Sequence, residues 1–94
     1  VARARYYMGE CYENGEGICK NFVKAEEYYR KAANQEYAEA QYRLGRCYEL
    51  GQGLTSDKNM AAIWYEKAAK QGHIEAQYYL GKYYEIKSFD KHTC

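Results

Sequence analysis

Apolar and small residues near the start of the chain fall at positions 4, 8, 9 and 12, the spacing that sets one face of a helix against a core. Positions 3, 6, 10 and 13 lie at i, i+3, i+7 and i+10 on a second stripe, displaced from the first. The pattern stops at Gly15, where a helix would close in a left-handed turn. Gly17 follows two residues later, with Ile18 as an apolar plug. Asn21 then has the right side chain to accept an orphan N–H at the start of a second helix. That helix carries small residues at 25, 32 and 33, which let a neighbour approach closely, and Tyr29 to fill the space between layers.

The same text then returns. Ala4-Arg5-Tyr6-Tyr7-Met8-Gly9-Glu10-Cys11-Tyr12-Glu13 is echoed by Ala40-Gln41-Tyr42-Arg43-Leu44-Gly45-Arg46-Cys47-Tyr48-Glu49 and by Ala76-Gln77-Tyr78-Tyr79-Leu80-Gly81-Lys82-Tyr83-Tyr84-Glu85, so Gly9, Gly45 and Gly81 recur every 36 residues. Gly51, Gly53, Leu54, Asp57 and Tyr65 repeat the turn, cap and spacer of the first copy. Copy one spans residues 4–39 and copy two 40–75, while a third, 76–86, ends after its first helix. A fixed period in this range means one supersecondary unit stacked on copies of itself. The predicted fold is all-α: an α–α solenoid of antiparallel helix pairs, about two and a half repeats and five helices, the last unpaired. The repeat domain is placed at residues 1–86. Lys87 and Phe89 replace the glycines of the turn, so residues 87–94 are read as a divergent cap or tail. Arrays usually need about three units for stability, so the piece should be marginal unless extended or paired.

Composition narrows the function classes. The 94 residues hold 14 Lys+Arg against 13 Asp+Glu, a net charge of +1, which makes no basic field for nucleic acid. Mean hydropathy is −0.88 and no long apolar run occurs, which excludes a membrane span. No targeting segment is seen, and the reading leans to the cytoplasm with compartment undecided. The start at Val1, without an initiating Met, suggests a fragment of a longer chain. No proline interrupts the helices.

Four cysteines need a reading. Cys11 and Cys47 occupy equivalent positions in successive first helices. Such helices lie about 8–10 Å apart, too far for a disulfide, which needs Cα atoms within about 7 Å. Both are taken as small buried apolar residues. Cys19 and Cys94, in a loop and a tail, could be free thiols, and a Cys11–Cys19 bridge is the open alternative.

The run Trp64-Tyr65-Glu66-Lys67-Ala68-Ala69-Lys70-Gln71-Gly72-His73-Ile74-Glu75-Ala76-Gln77-Tyr78-Tyr79-Leu80-Gly81 closely resembles the Sel1-like repeat, a relative of the tetratricopeptide repeat. So does Tyr48-Glu49-Leu50-Gly51-Gln52-Gly53-Leu54, and the resemblance covers residues 2–86 in register. It implies that the first helices line a concave surface. Carried over on that register, Tyr6, Tyr42 and Tyr78 would run along the centre of a groove. Beside them would lie Glu10, Arg46 and Lys82, then Glu13, Glu49 and Glu85, with Arg3, Glu39 and Glu75 at the helix starts and Leu50 and Ile86 at the lower end. Tyrosine supplies large contact area, little rotamer entropy and a polar tip, which suits such a groove. The competing expectation is that the three tyrosines pack between copies as structure. A groove role requires that Tyr42→Ala keep the fold and weaken binding, while Leu44→Ala opens a core cavity.

The resemblance thus implies an adaptor that takes a protein or peptide partner, with no cofactor and no metal. Members of the family serve as adaptors in signalling, quality control, cell-envelope and host–microbe complexes. The alternatives are a regulatory or docking domain of a larger enzyme, a small enzyme of the cysteine-rich Sel1 type associated with penicillin binding or β-lactamase activity, and self-association through the open ends of the stack. Catalytic candidates are weak. Ser88-Phe89-Asp90-Lys91 matches Ser-x-x-Lys, but no Ser-Asp-Asn or Lys-Thr-Gly accompanies it. His92 and Cys94 are two ligands at a chain end and make no closed metal site. His73, alone in a turn between copies, reads as a cap or a solvated side chain. No residue is assigned a catalytic role.

Overall fold

The computed structural model describes residues 1–93, with side chains described for residues 1–85. Five helices follow one another: α1 (Ala2–Asn14), α2 (Phe22–Asn34), α3 (Ala38–Leu50), α4 (Lys58–Lys70) and α5 (Ile74–Thr93). Each starts 36 residues after its counterpart in the preceding repeat. They stack in sequence order, α1 on α2, α2 on α3, α3 on α4 and α4 on α5. This is the expected solenoid of antiparallel pairs.

The turns follow the expected chemistry. Gly15 and Gly51 end α1 and α3 in the left-handed region, at φ 74° and 71°. Their N–H groups donate to the Cys11 and Cys47 carbonyls, which answers acceptors the helix ends leave open. Asn21 accepts from the Lys24 N–H at 3.1 Å, and Asp57 accepts from Asn59 and Met60 at 3.1 and 3.2 Å.

Within each pair a tyrosine of the second helix lies on a glycine of the first. A methyl group at Gly9 would stand 2.6 Å from the ring of Tyr29, and one at Gly45 would stand 2.7 Å from the ring of Tyr65. The glycines therefore permit a helix–helix approach that no other residue allows. Each ring ends in a short hydrogen bond, Tyr29 hydroxyl to Glu13 and Tyr65 hydroxyl to Glu49, both 2.5 Å. Alanines at 25, 32, 33, 40, 61, 68 and 76 and Leu44 fill the rest of the core.

α5 differs in length. α1 and α3 have 13 residues and stop at a glycine, whereas α5 has 20 and runs through the positions held by Lys87 and Phe89. Ile86, the Ser88–Lys91 match and His92 fall among residues whose side chains are outside the described set, and Cys94 is outside it altogether.

Candidate interaction surface

The first helices of repeats one and two are joined by a charge network centred on Arg43 of α3. Its guanidinium lies 3.7 Å from Glu10, 3.8 Å from Glu13 and 3.9 Å from Glu39. Three carboxylates thus surround one cation on a half-exposed surface spanning both repeats. Glu39 also meets His73 Nε2 at 2.9 Å, while His73 Nδ1 accepts the Ala76 N–H at 3.1 Å. An accepting Nδ1 leaves the proton on Nε2, so the neutral ring caps α5 and donates to Glu39. Of the two roles read for this lone histidine, a cap or a solvated side chain, it takes the cap.

The next junction uses different chemistry at the same positions. Tyr79 replaces Arg43 and Arg46 replaces Glu10, and the Arg46 guanidinium sits 4.6 Å from the Tyr79 ring centroid. An ion pair at one junction becomes a cation–π contact at the next. Tyr79 also packs on Tyr42 and Tyr65, at centroid distances of 6.0 and 5.6 Å.

The structure divides the tyrosine ladder. Tyr6 is half-buried between Tyr29 and Tyr37 and donates to Glu10 at 3.1 Å. Burial pushes its hydroxyl up to about 12. Tyr42 is only 7% exposed, wedged against Tyr65, His73 and Tyr79, and burial raises its pKa as well. Tyr78 is 59% exposed, with the Lys82 ammonium 5.2 Å from its ring. Of the flanking residues, Glu13 and Glu49 accept the interhelical tyrosine hydroxyls, so a large part of their role is internal. Glu10 and Arg46 are half-exposed. Arg3, Leu50, Glu75, Lys82 and Glu85 are open to solvent.

Sequence reasoning passed over three residues that organise this surface. Arg43 and Tyr79 lie one place beyond the tyrosine ladder, and their variation within the repeat (Tyr7, Arg43, Tyr79) was the available signal. Gln41 is fully buried yet satisfied, donating to the Ala33 carbonyl at 3.3 Å and accepting from Gln71 at 3.0 Å. It ties α2, α3 and the end of α4 together, and Gln77 repeats its bond to the Ala69 carbonyl at 3.2 Å. The glutamine shared by positions 41 and 77 was its signal.

The cysteines also sort by neighbour. Cys11, Cys19 and Cys47 are free thiols. Cys47 is buried against Ala25 and Tyr29 of the preceding repeat, and burial pushes its thiol up to about 12. Cys11, expected to be buried likewise, is half-exposed, because no helix pair precedes α1 in these residues. Among the described residues no group of three His, Cys, Asp or Glu side chains could hold a metal ion, and no helix is long and apolar enough to cross a membrane.

Stacked helix pairs with a polar first-helix face define an α-solenoid repeat protein. A family model of the Sel1 repeat matches residues 2–37, 38–73 and 74–86, and the chain belongs to that family. Repeats of this kind are generally protein-interaction modules and typically non-catalytic scaffolds. The chain is 39% identical to a Sel1 repeat protein from Oxalobacter formigenes, with a TM-score of 0.86, over 87% of this chain and 62% of that one. It is 36% identical, with a TM-score of 0.87, to c5321, a protective antigen of uropathogenic Escherichia coli displaying an SLR fold, over 88% of this chain and 18% of that one. Helicobacter pylori cysteine rich protein B is similar at 29% identity and a TM-score of 0.77, over 80% of this chain and 56% of that one. The chain therefore spans less than two thirds of the length of each of these proteins. No curated protein matches it.

Proposed function

We propose that the chain is an adaptor module that binds a protein or peptide segment along the face made by α1, α3 and α5. Tyr6 and Tyr42 form the floor of that face, and Glu10, Glu39, Arg46, Leu50, Tyr78 and Lys82 form its accessible part. The observation that carries this reading is the Arg43 cluster. Three carboxylates, all 3.7 Å or more from a single guanidinium, retain acceptor capacity for an incoming group. The local excess of negative charge favours a segment rich in lysine or arginine, drawn in by complementary potential.

The test is a peptide-library selection against the folded protein beside a Glu10→Gln/Glu39→Gln variant. The amide at 39 can still accept from His73, so the variant keeps its fold while losing two charges. A lysine- or arginine-containing consensus that binds the parent and falls about tenfold or more in the variant, with strong salt dependence, supports the reading. Equal binding by both proteins, or a consensus without cations, overturns it.

A further inference from the structure

The third repeat keeps the receiving half of a contact that the first two repeats complete. In repeat one, Tyr29 lies on Gly9, its hydroxyl reaches Glu13, and its ring meets Tyr6 at 5.7 Å. In repeat two, Tyr65 lies on Gly45, reaches Glu49 and meets Tyr42 at 6.0 Å. Thirty-six residues further on stand Tyr78, Gly81 and Glu85, with Tyr84 in the place of Tyr12 and Tyr48. All four are exposed on α5, Tyr84 at 54%. A methyl group at Gly81 would meet no heavy atom within 4 Å among the described residues. Glu85 makes no hydrogen bond or ion pair among the described residues.

The first two repeats cover this face because the chain turns at Gly15 and Gly51 and lays its own second helix back. α5 makes no such turn, continuing as helix to Thr93. The covering helix has a definite chemistry, written twice in the chain: Ala25, Tyr29, Ala32 and Ala33, then Ala61, Tyr65, Ala68 and Ala69. Alanines at i, i+7 and i+8 permit close approach, and the tyrosine at i+4 supplies the ring and the hydroxyl.

We propose that the α5 face around Gly81 is a docking site for an amphipathic helix of a partner chain with the pattern Ala-x-x-x-Tyr-x-x-Ala-Ala. Its tyrosine lies on Gly81 against Tyr78 and donates to the Glu85 carboxylate. This face shares Tyr78 with the proposed binding surface but lies apart from the Arg43 cluster that carries that reading, and Gly81→Leu leaves the cluster untouched.

The probe is a fluorescein-labelled peptide of residues 20–35 of this chain, which carries the pattern, titrated with the protein of residues 1–94. Fluorescence anisotropy is read for the parent protein, for Gly81→Leu and Glu85→Gln proteins, and for a peptide bearing Tyr29→Ala. The leucine at 81 enters open space, so the variant protein keeps its helical circular dichroism. Saturable binding is expected, weakened about tenfold or more by Gly81→Leu or by the altered peptide, and several-fold by Glu85→Gln. No saturation below about 1 mM, or equal binding to Gly81→Leu protein, overturns the proposal. So does a concentration-dependent dimer that Gly81→Leu abolishes while the peptide goes unbound, which reassigns the face to a second copy.

Discussion

Repeats two and three spell nearly the same first helix and do opposite things with it. Tyr42, Gly45 and Glu49 are covered, stacked and hydrogen-bonded, whereas Tyr78, Gly81 and Glu85 stand open. What differs is the company each helix keeps. α3 is enclosed by α2 and α4, whereas α5 packs mainly on α4 and touches α3 through Tyr79. In a solenoid a residue's position in the repeat sets what it can do, and its neighbours decide whether it is core or surface. A motif read as a binding ladder is therefore two kinds of residue.

The largest test of that contrast sets Tyr42→Ala against Tyr78→Ala. Removing the buried ring should cost about 3–5 kcal/mol, the range for deleting a large aromatic from a core. The exposed counterpart should stay within about 0.5 kcal/mol of the parent. Urea unfolding of both variants measures the difference. Equal losses would mean that Tyr78 is covered in solution. A stable Tyr42→Ala protein would show that the Tyr42 ring is not part of the core.

A smaller effect of opposite signs is expected at the glycines. Gly45→Ala forces a methyl group toward the ring of Tyr65 and should cost about 1–3 kcal/mol, as overpacking does. Gly81→Ala meets nothing among the described residues and should gain about 0.5–1 kcal/mol from better helix propensity. Should both destabilise, the face of α5 is already occupied.

The same contrast runs through the thiols. Cys19 is exposed, Cys11 half-exposed and Cys47 buried, so a maleimide should label them in that order, Cys47 only as the fold opens. Cys47 also makes stability depend on alkaline pH. An acid whose folded pKa exceeds its unfolded value holds its proton more tightly in the folded state. Its contribution is full below pH 9.0, the unfolded value, and is lost as pH rises toward about 12. Tyr6 acts in the same direction between 10.0 and about 12. Urea midpoints should therefore fall steadily above pH 9, less so in Cys47→Ala measured against its own value at pH 8. An equal fall in the parent and in Cys47→Ala would show that Cys47 is open to solvent.

The fold was legible because local signals agreed. Gly15, Gly51, Asn21 and Asp57 each announced a helix end by its own chemistry, and the 36-residue period placed them in register. The surface was legible only in outline. Periodicity put Tyr6, Glu10 and Glu13 on one stripe, but a helix of 3.6 residues per turn cannot say which neighbour will cover that stripe. The Tyr29–Glu13 and Tyr65–Glu49 bonds join positions 16 apart, and Arg43 reaches back about thirty residues to two glutamates. Such contacts belong to the stack. Gln41 escaped notice for a related reason: a buried glutamine looks like a surface residue until its Ala33 and Gln71 partners are seen.

The smallest expected effect lies in the turns between repeats, where copies one and two depart from each other. Glu36 adopts φ 65°, and its counterpart Gly72 adopts φ 89°. A side chain in the left-handed region is strained by its Cβ, and glycine removes that strain while adding freedom to the unfolded chain. The two terms oppose, so Glu36→Gly should stabilise by about 0.5–1 kcal/mol. The Glu36 carbonyl that accepts from Gln71 at 3.0 Å survives the change, so the clasp between repeats is kept. Gly72→Glu should move stability the other way by a similar amount. If Glu36→Gly destabilised instead, the glutamate side chain would have to hold the turn through an interaction stronger than its strain, and the two turns would not be equivalent.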